Sequence, residues 1–317
     1  MKNNIAILAP GKGWGNFVSY ISCFKKISEV RKKKIILITK KFSSAPSYLS
    51  DQNFVDKFIE IPDNTKGFLN KIKSIIYIFK ELKKSNLNEI FIFHSSSLYV
   101  LICYIVGIKN IYAPGIKNQN FLLKKENKLY ENNKSKLIDP VEESKALTKK
   151  ILNSDEVSFS TLNYINKIDD NKIAVCIACS GKEKQWGEEN YVKLINFLIS
   201  KNYKNFLIIA GKDQEKLENK ITNTFDENLN FIKTSSKSIG EVLPDLKQCK
   251  LFIGNDTGFF HLAVALGKKS FVILGDCPPH TYSDLIINID CEITRSHDSI
   301  KSIDCQKVIN VFNKYEN

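Results

Sequence analysis

The chain has 317 residues, a length that suggests about two domains, and its 43% hydrophobic and 26% charged residues exclude wholesale disorder. Fourteen Gly and eight Pro without an internal repeat exclude collagen-like and solenoid architectures. Lys and Arg outnumber Asp and Glu 47 to 34, and the net charge of +13 favours anionic partners, yet only Arg31 and Arg295 are arginines, which disfavours nucleic acid.

Short apolar runs alternate with helical patterns from end to end, the signature of parallel sheets covered by helices on both faces. Ile5–Pro10 reads as the first strand, the glycine-rich loop Gly11–Asn16 follows, and a helix runs over Phe17–Val30. Lys34–Thr39 and Phe58–Pro62 are the next strands. Phe68–Lys84 carries apolar residues at helical spacing. Glu89–His94 is a strand, Leu98–Gly107 a helix and Asn110–Ala113 a strand. Lys117–Lys136 is a polar, Lys- and Asn-rich segment of the length expected for a functional loop. A helix over Pro140–Leu152 precedes an interdomain linker at Ser154–Asn171.

A second α/β unit begins at Lys172. Its strands are Ile173–Ala178, Phe206–Ala210, Phe231–Lys233, Leu251–Gly254 and Ser270–Leu274, with Ile286–Ile289 as an edge. Its helices are Glu188–Ser200, Glu215–Asn223, Ile239–Gln248, Phe260–Leu266 and the terminal Ser299–Tyr315. Doubly wound sheets bind ligands beyond the carboxyl ends of their strands, so two of them place the expected site in a cleft between domains.

The opening run Ile5–Leu8 is too short for a signal peptide, and the longest apolar stretch, Leu98–Ile108, is about half a membrane span. The eight scattered cysteines are therefore expected to be reduced, in a cytoplasmic protein. Cys176-x-x-Cys179 has zinc-ligand spacing, but it has no second pair and lies on an apolar strand, so no metal site is expected.

Three segments carry candidate chemistry. In Leu251–Ala263 an apolar strand ends in Asn255-Asp256-Thr257-Gly258 and a helix starts at once. The unpaired N–H groups and positive dipole end of such a helix form an anion site. Thr257 adds a hydroxyl, Gly258 admits a phosphate close to the backbone, and His261 is placed one turn on to reach a diphosphate or sugar. The competing reading is that Asp256 or Thr257 caps the helix and His261 packs in the core. In Ala178–Tyr191, Lys184 is placed to neutralise charge on a leaving diphosphate, and Trp186 to anchor the loop. The Gly11–Asn16 loop has neither dinucleotide-fingerprint nor P-loop spacing, but a glycine-rich turn there admits a substrate near the backbone.

These residues resemble those of the lipopolysaccharide heptosyltransferases of glycosyltransferase family 9, two-domain enzymes of the GT-B fold. The likeness is closest over 173–275, through Ser180-Gly181, Lys184-Gln185-Trp186, Ile209–Glu215 and Gly254–Ala263, and weaker in the amino-terminal half. It implies an inverting transferase that uses a nucleotide-sugar donor, ADP-heptose in the family, with no metal ion and no other cofactor. Lys184, His261 and the backbone of Asp256–Gly258 would hold the diphosphate or sugar. Ser180 and Gly211 would belong to the donor loops, and Glu215 would bind the nucleoside ribose. The first domain would present a lipid A core acceptor near Gly13, Gly15 and Asn16. The implied partners are a nucleotide sugar and an anionic glycolipid, with peripheral contact to the inner membrane, and the lysine surplus fits them.

One position departs from the family. There the first-loop glycine precedes an Asp that serves as general base, whereas this chain has Gly15-Asn16, and an amide takes no proton at ordinary pH. His94, at a strand end, is the first substitute and Asp256 the second. The expected organisation is two Rossmann-like doubly wound parallel-sheet domains facing a central cleft. Residues 1–155 bind acceptor, 172–298 bind nucleotide sugar, and the 299–317 helix is open to packing back on the first domain. A nucleotide-sugar epimerase of related fold and a catalytically impaired nucleotide-sugar-binding protein are the alternatives.

Overall fold

A computed structural model describes residues 4–11, 13–63, 67–131, 140–164, 167–181, 184–275, 277–291 and 299–316. The chain divides into two units, Met1–Ser160 and Thr161–Asn317. Lys182 and residues 132–136 of the Lys-rich segment lie outside the described residues, as does Asp276 at the end of the family-like stretch.

The first unit holds a parallel sheet in the order β3-β2-β1-β4-β5, built from β1 Asn4–Leu8, β2 Ile35–Lys40, β3 Val55–Ile61, β4 Leu87–Ile92 and β5 Asn110–Tyr112. Its central strands are apolar on both faces because helices cover both, and Ile7, Leu37 and Ile90 are wholly buried. Helices α1 Trp14–Ser19, α2 Ile21–Arg31 and α3 Pro46–Leu49 come first, then α4 Phe68–Lys84, α5 Ser97–Val106, α6 Gln119–Leu122 and α7 Pro140–Leu152. One side of the sheet packs on α4 and α5, through Leu82, Val100 and Cys103. The helix expected over Phe17–Val30 is two helices meeting at Tyr20, and the first begins at Trp14, so Gly15 and Asn16 lie in a helical turn and not in the expected loop. Arg31 makes a two-pronged bond to the buried Glu89 on β4, with contacts of 2.7–3.0 Å. That bond lets a carboxylate sit on an interior strand without being left unpaired.

The second unit has a six-stranded parallel sheet in the order β11-β10-β9-β6-β7-β8. Its strands are β6 Asp169–Cys176, β7 Asn205–Ile209, β8 Asn230–Lys233, β9 Cys249–Asn255, β10 Lys269–Leu274 and β11 Ile286–Asp290. The helices are α8 Glu188–Ser200, α9 Glu215–Thr222, α10 Ile239–Gln248, α11 Gly258–Ala265 and α12 Cys305–Glu316. Val175, Ile208, Ile253 and Phe271 pack with Trp186, Tyr191, Leu194, Leu198 and Phe312 into one core. The indole N–H of Trp186 donates to the Ile303 carbonyl at 2.5 Å, so the family-like loop is pinned to the chain just before α12. In the 299–317 segment, for which packing on the first domain was left open, α12 lies on α8 and beside β11 of its own unit, with Phe312 edge-on to Phe197. Its apolar face, Val308 and Phe312, completes that core.

In each sheet the chain begins in the middle, runs to one side, then returns to fill the other. The direction reverses between β1 and β4 in the first unit and between β6 and β9 in the second. Loops that leave a doubly wound sheet on either side of such a reversal diverge and leave a crevice for ligands. Among the described residues no helix is long and apolar enough to cross a membrane.

Candidate active site

Asp256, Thr257 and Gly258 leave the carboxyl end of β9 at the second reversal. Asn255, the last residue of β9, is buried and does the joining: its amide nitrogen donates to the carbonyls of Ala178 (3.1 Å) and Ile177 (3.4 Å), just beyond β6. The Tyr191 hydroxyl donates to Asn255 Oδ1 at 2.8 Å, which fixes the orientation of that amide. The loop after β6, with Ser180 and Lys184, is thereby tied to the loop after β9. On the other side, Gln214 Oε1 accepts the Gly211 N–H at 3.0 Å and its Nε2 donates to the Cys179 carbonyl at 3.4 Å, which ties in the loop after β7. Ser180, Lys184, Gly211 and Glu215 thus stand on loops neighbouring Asp256–Gly258 along one sheet edge. Ser180 and Glu215 are exposed, while Lys184 and Gly211 are half-buried.

Gly254, one residue before Asn255, has φ +148 and lies against β6 so closely that a Cβ would fall 2.2 Å from the Cys176 carbonyl oxygen. This backbone contact is what brings the two loops together. The Thr257 hydroxyl is 3.5 Å from the Cys176 sulfur, whose thiol is pushed up to about 12 by burial and so stays neutral. Thr257 also occupies the position before the first turn of α11 without capping it through its side chain. The amides of that turn therefore have no hydroxyl cap from Thr257, as an anion site requires.

His261 is buried on α11, its Nδ1 2.7 Å from the Tyr282 hydroxyl and its Nε2 3.7 Å from Asp256 Oδ1. His280, in the loop after β10, brings its Nε2 to 3.2 Å from the same oxygen. The two imidazoles meet edge to face at 5.1 Å. His280 and Tyr282 are not among the sequence-predicted residues. The only local signal was a histidine after two prolines beyond a strand, Pro278-Pro279-His280. It becomes meaningful once β10 is known to pair with β9. Asp256, His261 and His280 are also the group among the described residues with metal-ligand spacing, their donor atoms all within 4.8 Å of one another.

Burial alone would raise the Asp256 carboxyl. The close approach of His280, followed by the charge of His261, outweighs it and holds the group below the usual carboxylate range. A carboxylate depressed in the folded state stabilises the fold above its unfolded value and loses that contribution as pH falls through the folded one. Asp256→Asn is therefore expected to be less stable than the parent by a constant amount from pH ~7 to ~5, the difference shrinking below pH ~4. Urea unfolding of both proteins across that range checks this, and a difference independent of pH down to ~3 would contradict it.

In the first unit, Gly13, Gly15 and Asn16 follow β1 and His94 follows β4, so all four flank the reversal of that sheet. Gly13 is extended, with open space where a Cβ would stand, and Asn16 is exposed in the first turn of α1. His94 does not suit the role of base expected for it. Its Nδ1 accepts the Ser96 N–H at 3.0 Å, so the neutral ring carries its proton on Nε2 and its one ring lone pair is already engaged. The His94 ring also packs edge-on against Tyr99 at 5.3 Å.

A family model described as glycosyltransferase family 9 (heptosyltransferase) matches residues 109–308. Among solved structures, E. coli ADP-heptose lps heptosyltransferase II is similar at 16% identity over 98% of both chains, with a TM-score of 0.76. A family 9 glycosyl transferase from Veillonella parvula is similar at 13% identity over 99% of this chain and 98% of that one, with a TM-score of 0.78. E. coli heptosyltransferase WaaC with ADP-2-deoxy-2-fluoro heptose is similar at 13% identity over 98% and 99% of the two chains, with a TM-score of 0.77. No curated protein sequence matches the chain.

Proposed function

Because the chain belongs to glycosyltransferase family 9, and so is a glycosyltransferase, we propose that it moves a heptose or a similar sugar from a nucleoside-diphosphate donor, ADP-heptose first among them, to an anionic inner-core glycolipid or related glycan. The observation that carries this reading is the Asp256–His261 pair at the start of α11, held at the sheet reversal beside the Lys184 loop. ADP-heptose is put first because E. coli heptosyltransferase II is named for it and the similar WaaC structure holds its fluoro analogue.

In the proposed reaction the acceptor oxygen attacks the anomeric carbon from the face opposite the diphosphate, and its hydroxyl proton passes to water. The C–O bond to the diphosphate breaks as the new glycosidic bond forms, with inversion, and nucleoside diphosphate leaves. Lys184 Nζ, the backbone amides at Thr257 and Gly258, and His261 stabilise the departing charge. The same set serves in place of a magnesium ion. Tyr282 holds the His261 ring in place. Asp256, kept ionised between two imidazoles, accepts hydroxyls of the donor sugar. Ser180 and Gly211 border the diphosphate, and Glu215, exposed at the start of α9, takes the ribose. Gly13, Gly15 and Asn16 receive the acceptor. Asn16 orients its hydroxyl.

The test combines donor screening and turnover. Among ADP-, UDP- and GDP-sugars, an ADP-sugar is expected to raise the melting temperature most, and nucleoside diphosphate is expected to appear only when acceptor is present, with chelator in the buffer. Product from donor alone would favour the epimerase reading. Asn16→Asp, which restores a carboxylate at that position, is expected to raise kcat about tenfold or more. Donor binding with no turnover in either protein would favour the binding-protein reading.

A further inference from the structure

The outer surface of the first unit carries a second feature that the transfer reaction does not use. Helix α5 is apolar all round: Val100, Ile102 and Cys103 are buried against the sheet, while Leu98, Leu101, Tyr104 and Ile105 face outward, the last two 67% and 63% exposed. A helix with no polar face is normally covered on both sides. Beside it, α6 presents Phe121, 82% exposed, and Leu122. Between α5 and α6 runs a groove of about 370 Å³ floored by Leu98, Leu101, Phe121 and Leu122. Helix α4, packed on α5, adds Leu69, 72% exposed, and Ile76. Isolated apolar residues on a surface are ordinary, but a run of this extent over three adjacent helices marks an interaction face.

The charge around it says what covers it. From Gly67 to Glu131 the sequence has ten lysines and four glutamates, with no aspartate or arginine. Glu89 is buried under Arg31, and Glu81 and Glu131 are paired with Lys84 and Lys125. Lys71, Lys73, Lys117, Lys124 and Lys125 are exposed on the same helices and the turns flanking them. Exposed apolar side chains and exposed lysines on the same helices and turns match the headgroup and acyl boundary of an anionic bilayer, where each basic residue near the surface adds attraction.

We propose that the α4–α5–α6 face docks the protein on an anionic lipid bilayer. The face is fastened to the acceptor end of the unit. Buried Gln119 on α6 donates to the carbonyls of His94 (2.7 Å) and Ser96 (3.2 Å), and its Oε1 accepts the N–H groups of Gly115 and Ile116. The docking helices and the β4 end that carries His94 therefore move as one piece. A lipid-linked acceptor would be drawn from the bilayer at that same end. The purpose of the face rests on the function proposed above, but its detection does not.

Co-sedimentation of the full chain with vesicles of phosphatidylethanolamine and phosphatidylglycerol tests this. Binding is expected there, weakened by salt, and at least about tenfold weaker on neutral phosphatidylcholine. Leu101→Glu/Phe121→Glu, which changes two outward-facing side chains, is expected to cut vesicle binding about tenfold or more with an unchanged melting temperature. Its transfer to a water-soluble, deacylated acceptor should stay at the parental rate. Lys117→Glu/Lys124→Glu is expected to abolish the preference for anionic lipid. Wild-type binding no stronger to anionic than to neutral vesicles would overturn the proposal, as would full retention by the Leu101/Phe121 variant. Light scattering that shows a dimer dissolved by that variant would also overturn it, and the face would then join two copies. Absence of sugar transfer by the wild type would sink the proposed function and leave the vesicle result standing.

Discussion

Lys184→Ala is expected to lower kcat by about 10²–10³-fold, the loss found when one preorganised group that stabilises developing charge is removed. The fold should be unaffected, because Lys184 is half-buried on a short turn closed by its own N–H to the Gly181 carbonyl at 3.1 Å, a bond the substitution keeps. Donor affinity should fall less than kcat, since the ammonium gains most when the diphosphate departs with its extra charge. Lys184→Arg is not expected to restore the parental rate, for a planar fork cannot occupy the position of a compact ammonium. Steady-state kinetics at saturating donor check this. A Lys184→Ala enzyme within about threefold of the parent would remove the residue from the mechanism.

Gly254→Ala is expected to destabilise the second unit by about 3 kcal/mol or more, among the largest effects of a single substitution. The new methyl would sit 2.2 Å from the Cys176 carbonyl oxygen, 2.7 Å from its amide nitrogen and 2.8 Å from its Cβ. Two of those atoms are backbone of β6 paired in register with Gly254, so no side chain can swing aside and the strands must part. The positive φ of 148 adds strain of its own. Parting β6 from β9 also breaks the Asn255 bonds that hold the Lys184 and Asp256 loops together, so donor binding should vanish with stability. Gly267→Ala is the control: its φ is +79, yet its Cβ would meet only a Thr161 methyl at an ordinary 3.5 Å. It should cost about 1–2 kcal/mol. Equal melting temperatures for the two variants would contradict this account of the contact between β6 and β9.

The alternation of apolar runs and helical patterns was enough to read both sheets because their central strands are buried on both faces. Ile35–Ile38 and Ile173–Cys176 show this directly, each run buried throughout. Where charge sits on regular structure, the reading fell short. Strand β6 starts at Asp169, earlier than its apolar residues suggest, because Lys172 bonds Asp245 at 2.7 Å and Asp169 accepts from Asn205 at 2.8 Å. The break between α1 and α2 at Tyr20 has no Gly or Pro to announce it.

The site divides in the same way. Asp256, Thr257, Gly258 and His261 are local in sequence, so strand-end chemistry and helix spacing are enough to single them out as candidates. His280 and Tyr282 act on His261 and Asp256 across the β9–β10 pairing, which no local pattern encodes. Gly254 carries its constraint through Cys176, distant in sequence. His94 was legible as a residue at a strand end but not as one whose Nδ1 is already occupied by the Ser96 amide. The outward apolar face of α5 had the opposite difficulty, since uniform hydrophobicity over Leu98–Val106 does not tell which side is covered, and only half of it is.

A crystal structure with ADP bound tests the central claim most directly. The diphosphate is expected within about 3 Å of the Thr257 and Gly258 amides and of Lys184 Nζ, with His261 close enough to share a hydrogen bond. A diphosphate seated away from the β6–β9 edge, or one that Lys184 and the α11 amides do not touch, would contradict it.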